Sequence, residues 1–223
     1  MKKNLLLMCI LCTMFQACEK KITFIGHRGS LLGVENTAEA FINGATHYGY
    51  QGLECDVKTT VDSQLVCWHD DHLERGGIDS LTIPTMTLAE LQALTLHQTR
   101  KDVAYTATIC TVDEYLAICA KYDVFPVVEL KWAIGINNND MSNFPGLMDL
   151  VKKKGLESKV VFLTSMQNSL LYIRKNYPDA KCQFLCTELG ETKIDWCKEN
   201  GLEPSISVGY FGQQLILKYH LNG

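Results

Sequence analysis

Phe24-Ile25-Gly26-His27-Arg28-Gly29 carries an apolar run into an imidazole, a guanidinium and a glycine. The same grammar returns three times before residue 132. Gly52-Leu53-Glu54-Cys55-Asp56-Val57 sets two carboxylates two residues apart. Leu65-Val66-Cys67-Trp68-His69-Asp70 ends in a second histidine, and Val127-Val128-Glu129-Leu130-Lys131 joins a carboxylate to an ammonium. On a strand, residues i and i+2 point to the same face, so Glu54 and Asp56 share one side, as do Glu129 and Lys131. Apolar strands that end in chemically capable residues are the pattern of a parallel α/β barrel, whose active sites collect at the C-terminal strand ends.

Around these segments, strand-like and helix-like stretches alternate, which predicts an α/β chain with a parallel sheet. Asn36 or Thr37 is placed to cap a helix carrying Ala38, Phe41, Ile42 and Ala45 on one face. Thr87-Leu88-Ala89-Glu90 and Thr111-Val112-Asp113-Glu114 are capping-box signatures. Residues 70–87 read as a loop. Helices are expected over about 144–154, 168–176 and 192–200, and strands over 124–130, 159–164, 181–187 and 205–208. Pro126 is tolerable in its strand only near the start.

The chain has 223 residues and a formal net charge of −4, with 47% hydrophobic and 21% charged residues. That is enough for one domain with its own core. The single basic run, Lys152-Lys153-Lys154, precedes Gly155 and reads as a cationic helix end. No nucleic-acid partner and no protein partner is indicated. The first residues differ. Lys2-Lys3, the apolar stretch from Leu5 to Phe15, and Phe15-Gln16-Ala17-Cys18 describe an export signal too short to span a bilayer. It resembles a bacterial lipoprotein signal, with residues 1–17 removed and Cys18 lipidated; Phe15 stands where such signals usually carry an aliphatic residue. The chain is thus expected in the bacterial cell envelope, held to a membrane through that lipid. Residues 18–21 form a short tether and 22–223 the barrel domain. Beyond Cys18 lie Cys55, Cys67, Cys110, Cys119, Cys182, Cys186 and Cys197, an odd set that cannot all pair. They are read as buried small hydrophobes, and no zinc spacing occurs among them.

If the strands close into one barrel, His27, Glu54, Asp56, His69, Glu129 and Lys131 converge on one rim. Three carboxylates without a thiolate suit a hard cation, Ca²⁺ or Mg²⁺. Two histidines supply a general acid and a general base near neutral pH. Arg28 and Lys131 offer cations for a phosphate. Together these describe phosphodiester hydrolysis better than glycoside cleavage, which needs the carboxylates alone. Taken singly, each residue has a plainer role as a solvated strand face, a structural histidine or a surface ion pair. Their repetition at successive strand ends is what favours a site.

The ordered set His27-Arg28-Gly29, Glu35-Asn36-Thr37, Ala40-Phe41, Glu54-Cys55-Asp56-Val57, Thr60-Val61-Asp62, His69-Asp70, Leu73, Arg75 and Glu129-Leu130-Lys131 resembles the glycerophosphodiester phosphodiesterases. The resemblance implies a TIM (β/α)₈-type barrel that releases glycerol 3-phosphate and an alcohol. It implies a divalent metal on Glu54, Asp56 and Glu129, His27 and His69 as the acid–base pair in an order left open, and phosphate binding by Arg28 and Lys131. Glu35 would orient Arg28 or line the metal site. A neighbouring glycerol hydroxyl would attack first, giving a cyclic phosphate. Rival readings are a related phospholipase on the same barrel, of the sphingomyelinase D or phosphoinositide-cleaving type, and an inactive barrel that only binds phosphate esters.

Two departures qualify the resemblance. Strands like V-x-x-W-T-V-N and G-V-D-G-I-x-T-D, usual late in the family, do not occur. The barrel is therefore expected to lack its last one or two strands, as in a C-terminally truncated chain. Ile109-Cys110-Thr111 replaces the usual Pro-Thr-Leu at a helix start. Finally, Glu19, Lys20 and Lys21 alone separate Cys18 from the first strand. The lipid would hold the barrel's N-terminal face to the membrane and leave the catalytic rim facing a soluble, deacylated substrate.

Overall fold

The computed structural model describes residues 23–131, 135–136, 140–186 and 190–206. The expected signal, Cys18 and the segment 207–223 lie outside them. In chain order the elements are β1 Ile25–Gly26, α1 Ala38–Thr46, β2 Gly52–Thr59, β3 Leu65–Cys67, α2 Leu88–Gln92, β4 Leu96–Arg100, β5 Val103–Ala107, β6 Cys110–Thr111, α3 Val112–Lys121, β7 Phe125–Leu130, α4 Phe144–Lys153, β8 Val161–Thr164, α5 Gln167–Asn176, β9 Lys181–Cys186, α6 Glu191–Glu199 and β10 Glu203–Ile206.

The main sheet runs β10-β9-β8-β7-β2-β3-β6, with β1 also on β2. β1, β2, β7, β8, β9 and β10 pair in parallel. This is the sheet of a (β/α) barrel, and among the described residues hydrogen bonds do not close it: β1 and β10 do not meet. Ile25 on β1 is correspondingly 45% exposed.

β2 shows how the sequence builds the layers. Leu53, Cys55 and Val57 are fully buried in a core shared with Phe41, Tyr115, Val128 and Phe162. Phe41 of α1 and Tyr115 of α3 meet with ring centroids 4.7 Å apart, and the Tyr115 hydroxyl donates to the Leu53 carbonyl at 2.7 Å. Glu54, Asp56 and Lys58 alternate onto the opposite face, toward the barrel interior. Pro126 is harmless in β7 because pairing with β8 begins only at Val127. All seven cysteines among the described residues are free and buried, as expected of small hydrophobes.

One expectation needs correction. β3 does not rise beside β2 as a parallel strand. It returns antiparallel after a tight turn, with Val57 opposite Cys67 and the Thr60 N–H on the Gln64 carbonyl. β2 therefore overhangs the rim by its last residues, and β3 descends to it. The Trp68 N–H donates to the Asp56 carbonyl at 2.9 Å, so His69 still arrives beside the carboxylates, from above. Residues 70–87, expected as a loop, hold two 3₁₀ turns; α2 follows where its capping box placed it, and the unexpected β4–β5 hairpin comes after it, all around a second core of Val34, Val66, Trp68, Leu73, Ile83 and Leu96.

Candidate active site

The turn after β1 is made possible by glycine. A Cβ on Gly26 would lie 2.1 Å from the Gly29 carbonyl oxygen. Gly29 has φ +89, and a Cβ there would lie 2.7 Å from the Ala40 backbone carbon. Arg28 is itself left-handed at φ 55. The tight turn aims the Arg28 N–H at Glu54 Oε2, 2.8 Å away, and leaves His27 Nε2 3.9 Å from the same oxygen. His27 is the most open member of the site, its side chain 71% exposed. Burial and the Arg28 charge push its pKa down.

Glu54, Asp56 and Glu129 converge, each offering an oxygen within 4.8 Å of the others. They come from adjacent strands, Asp56 lying opposite Glu129 in register. Lys131 Nζ sits 3.1 Å from Asp56 Oδ1 and 2.5 Å from Glu129 Oε1. Asn36, buried and left-handed at φ 58, donates through Nδ2 to Asp56 Oδ2 at 2.8 Å and accepts from the Asp56 N–H. Burial and the Asp56 charge push the Glu54 carboxyl well above the carboxylate range. Burial also raises Glu129, against the pull of Lys131. Asp56 goes the other way: burial opposes its charge, but Lys131, Asn36 and Arg28 outweigh it.

These residues fit a divalent cation. Among the described residues, Glu54 Oε1 is a buried acceptor without a hydrogen-bond partner, and buried Asp56 Oδ1 is met by the Lys131 ammonium at 3.1 Å. Orphaned buried carboxylate oxygens are costly, and a hard cation is what satisfies them.

Glu35 is not part of that carboxylate group; it sits among guanidinium groups. Its Oε1 lies 3.2 Å from Arg28 NH1 and 3.1 Å from Arg75 Nε, and its Oε2 lies 2.8 Å from Arg100 NH2. Of the two roles open to it, orienting Arg28 is the one its contacts match. Arg28 Nε lies 3.2 Å from Asp56 Oδ2, so the guanidinium bridges Glu35 and the acidic group. His69 is held through Nδ1 by Asp70 Oδ1, and Asp70 Oδ2 accepts from Arg75 Nε at 2.9 Å. This leaves Nε2 as the free ring nitrogen of His69.

Several residues were not singled out from sequence. Of Asn36 and Thr37, the two cap candidates, Thr37 is the N-cap, with its hydroxyl turned to the Val34 carbonyl, while Asn36 serves Asp56 instead. Lys58 follows Asp56 by two on the same face, a signal that was available; it is buried, with Nζ 2.5 Å from Asp71 Oδ1. Gln98 and Arg100 come from the β4–β5 hairpin and carried no sequence signal.

The model of the glycerophosphoryl diester phosphodiesterase family matches residues 25–223. The chain belongs to that family. A probable glycerophosphodiester phosphodiesterase 1 of Mycobacterium tuberculosis is 42% identical over 71 residues, 31% of this chain and 26% of that protein. A glycerophosphodiester phosphodiesterase of Caldanaerobacter subterraneus is 28% identical over 170 residues, 74% of this chain and 67% of the relative. The aligned part of the mycobacterial relative is thus well under two thirds of its length. Among solved structures, an Oleispira antarctica phosphodiesterase in complex with the product sn-glycerol-3-phosphate superposes with a TM-score of 0.74 at 22% identity, covering 91% of this chain and 81% of that one. A glycerophosphoryl diester phosphodiesterase structure from Silicibacter pomeroyi gives 0.76 at 20%, covering 89% and 79%. At these identities the structures establish the barrel fold.

Proposed function

We propose that this chain hydrolyses glycerophosphodiesters to glycerol 3-phosphate and an alcohol. The observation that carries the reading is the meeting of Glu54, Asp56 and Glu129, with the Glu54 Oε1 acceptor unmet, beside two histidines and two cations on one rim. Family membership and the product named for the Oleispira structure support the substrate class. Glu54, Asp56 and Glu129 would hold Ca²⁺ or Mg²⁺, which when bound supplies Lewis-acid polarisation and offsets phosphoryl charge.

The protein's own groups do the rest. Lys131 and Arg28 bind the phosphate, Arg28 steadied by Glu35. His69 is the general acid: ionised Asp70 accepts from Nδ1–H, stabilises the imidazolium and leaves Nε2–H to protonate the leaving alkoxide. His27, open to the mouth, takes the proton of the neighbouring glycerol hydroxyl as it attacks phosphorus; water then opens the cyclic phosphate, giving its proton to His69 while His27 returns one to the departing ring oxygen. We also place the chain in the bacterial cell envelope, lipid-anchored at Cys18; the leader pattern supports this, and loss of fatty-acid labelling in Cys18→Ser tests it. The lipid would lie at the N-terminal face, away from the rim, so the substrate is a soluble diester. Faster turnover of liposomal phospholipid than of glycerophosphocholine would overturn that orientation.

The deciding experiment is glycerol 3-phosphate release from glycerophosphocholine and glycerophosphoethanolamine by the full chain in Ca²⁺, Mg²⁺ or chelator. Metal-dependent release that drops about 10²–10⁴-fold in His27→Ala is expected, the span of a general acid–base contribution. No release in either metal would overturn the reading.

A further inference from the structure

The guanidinium groups around Glu35 outnumber what the phosphate needs. Arg28 and Arg75 share Oε1, and Arg100 takes Oε2 on the other side of the carboxylate. Arg75 also bonds Asp70, the partner of His69, which puts this wall of guanidinium groups on the side of the group assigned to the leaving alcohol. Arg100 is locked in place: its Nε donates to Gln98 Oε1 at 2.9 Å, and the same oxygen accepts the Glu35 N–H at 3.0 Å. Gln98 Nε2 in turn donates to the Arg75 carbonyl. The hairpin is thus docked on the catalytic loop by polar contacts. Arg75 and Arg100 remain 38% and 20% exposed. Among the described residues, neither terminal nitrogen of Arg75 has an acceptor, and of the two terminal nitrogens of Arg100 NH2 alone has one. Glu35, Asp70 and Asp56 balance the three guanidinium groups in charge, so what this wall offers an anion is the exposed, unmet N–H edges of Arg75 and Arg100. At the hairpin tip Lys101 and Asp102 cancel.

We infer that Arg75 and Arg100 form an anion subsite on the alcohol side of the scissile phosphate, so that the preferred substrates are glycerophosphodiesters whose alcohol carries a further phosphate or carboxylate. This rests on the proposed hydrolysis for its direction, and it deepens that reading by naming a substrate class. Two fork-shaped cations bridged by one carboxylate suit a bidentate oxyanion. A quaternary ammonium would instead want aromatic faces or uncommitted carboxylates, and Glu35 is already saturated.

The test compares glycerophosphoinositol with glycerophosphoinositol 4-phosphate. Calorimetric affinities are measured on the full chain in chelator, and kcat/KM is measured with metal. Wild type should bind the phosphorylated diester about tenfold more tightly, with the preference falling within about twofold in Arg100→Gln. Arg100→Lys should restore part of it and Lys101→Gln should keep it all. Because the ratio is taken within each variant, a general loss of binding cancels, and the unphosphorylated diester reports folding. Equal affinities in wild type, or a preference surviving in both Arg75→Gln and Arg100→Gln, would overturn the subsite. A preserved binding preference without turnover would keep the subsite and defeat the hydrolase reading.

Discussion

Asp70 shows how much one carboxylate does at the residue scale. Burial works against its charge, but hydrogen bonds from Arg75 and His69 and their charges together outweigh it and hold its pKa down to about 2, from 3.8. A carboxylate whose folded pKa is depressed contributes stability that is complete above its unfolded value and fades as pH falls toward the folded one. The stability difference between wild type and Asp70→Asn should shrink as pH falls below about 4 and be lost below about pH 2. Chemical unfolding at each pH reads this, and a difference that grows between pH 4 and 2 would contradict it. In catalysis, Asn can still accept from Nδ1–H but cannot stabilise an imidazolium. Asp70→Asn should lower kcat about 10- to 10²-fold, part of what a general acid supplies. The sequence placed His69 beside Asp70; the bond between adjacent side chains depends on the backbone turn after Trp68, which no spacing rule encodes. Asn36 is similar. Its left-handed backbone suits asparagine, but its use as the partner of Asp56 depends on β2 lying beneath the loop.

Local chemistry was most readable at helix starts. Thr111 and Glu114 form the full reciprocal box that their spacing predicts, as do Thr87 and Glu90. Thr37 has the right residue type and no cap bond, because its hydroxyl turns to Val34. Thr111→Ala should therefore cost about 1 kcal/mol in denaturant unfolding. Thr37→Ala should not register through helix capping, whatever it costs the loop. The β4–β5 hairpin was illegible for a definite reason. His97, Gln98, Thr99 and Arg100 alternate nothing apolar with polar, and the turn is Lys101-Asp102, both left-handed at φ 46 and 65, where glycine or asparagine would have marked it. The antiparallel return of β3 was missed similarly, since an apolar run ending in histidine looks the same in either direction. Only the Ser63 turn, left-handed at φ 59, separates the two.

At the scale of the molecule, the parallel sheet was legible because buried strands reveal themselves as apolar runs, and β2 adds a polar face that fixes its orientation. The acidic group on that face sets a stability balance that changes sign with metal. Without a cation, Glu54 is buried with an orphaned oxygen beside the Asp56 charge. That arrangement costs the fold, by about 1–3 kcal/mol for an unmet buried group. Glu54→Gln should then melt at or above the wild-type temperature in chelator. With a cation at a hundred times its dissociation constant, wild type gains about 2.7 kcal/mol, or roughly 5–10 °C for a domain of this size. Glu54→Gln should lose most of that gain, so the order of the two melting curves reverses between chelator and metal. His27→Ala, which removes no metal ligand, should keep the full metal-dependent shift while losing turnover. Were Glu54 only a structural carboxylate, Glu54→Gln would melt below wild type in chelator, and Ca²⁺ or Mg²⁺ would move both curves equally or not at all.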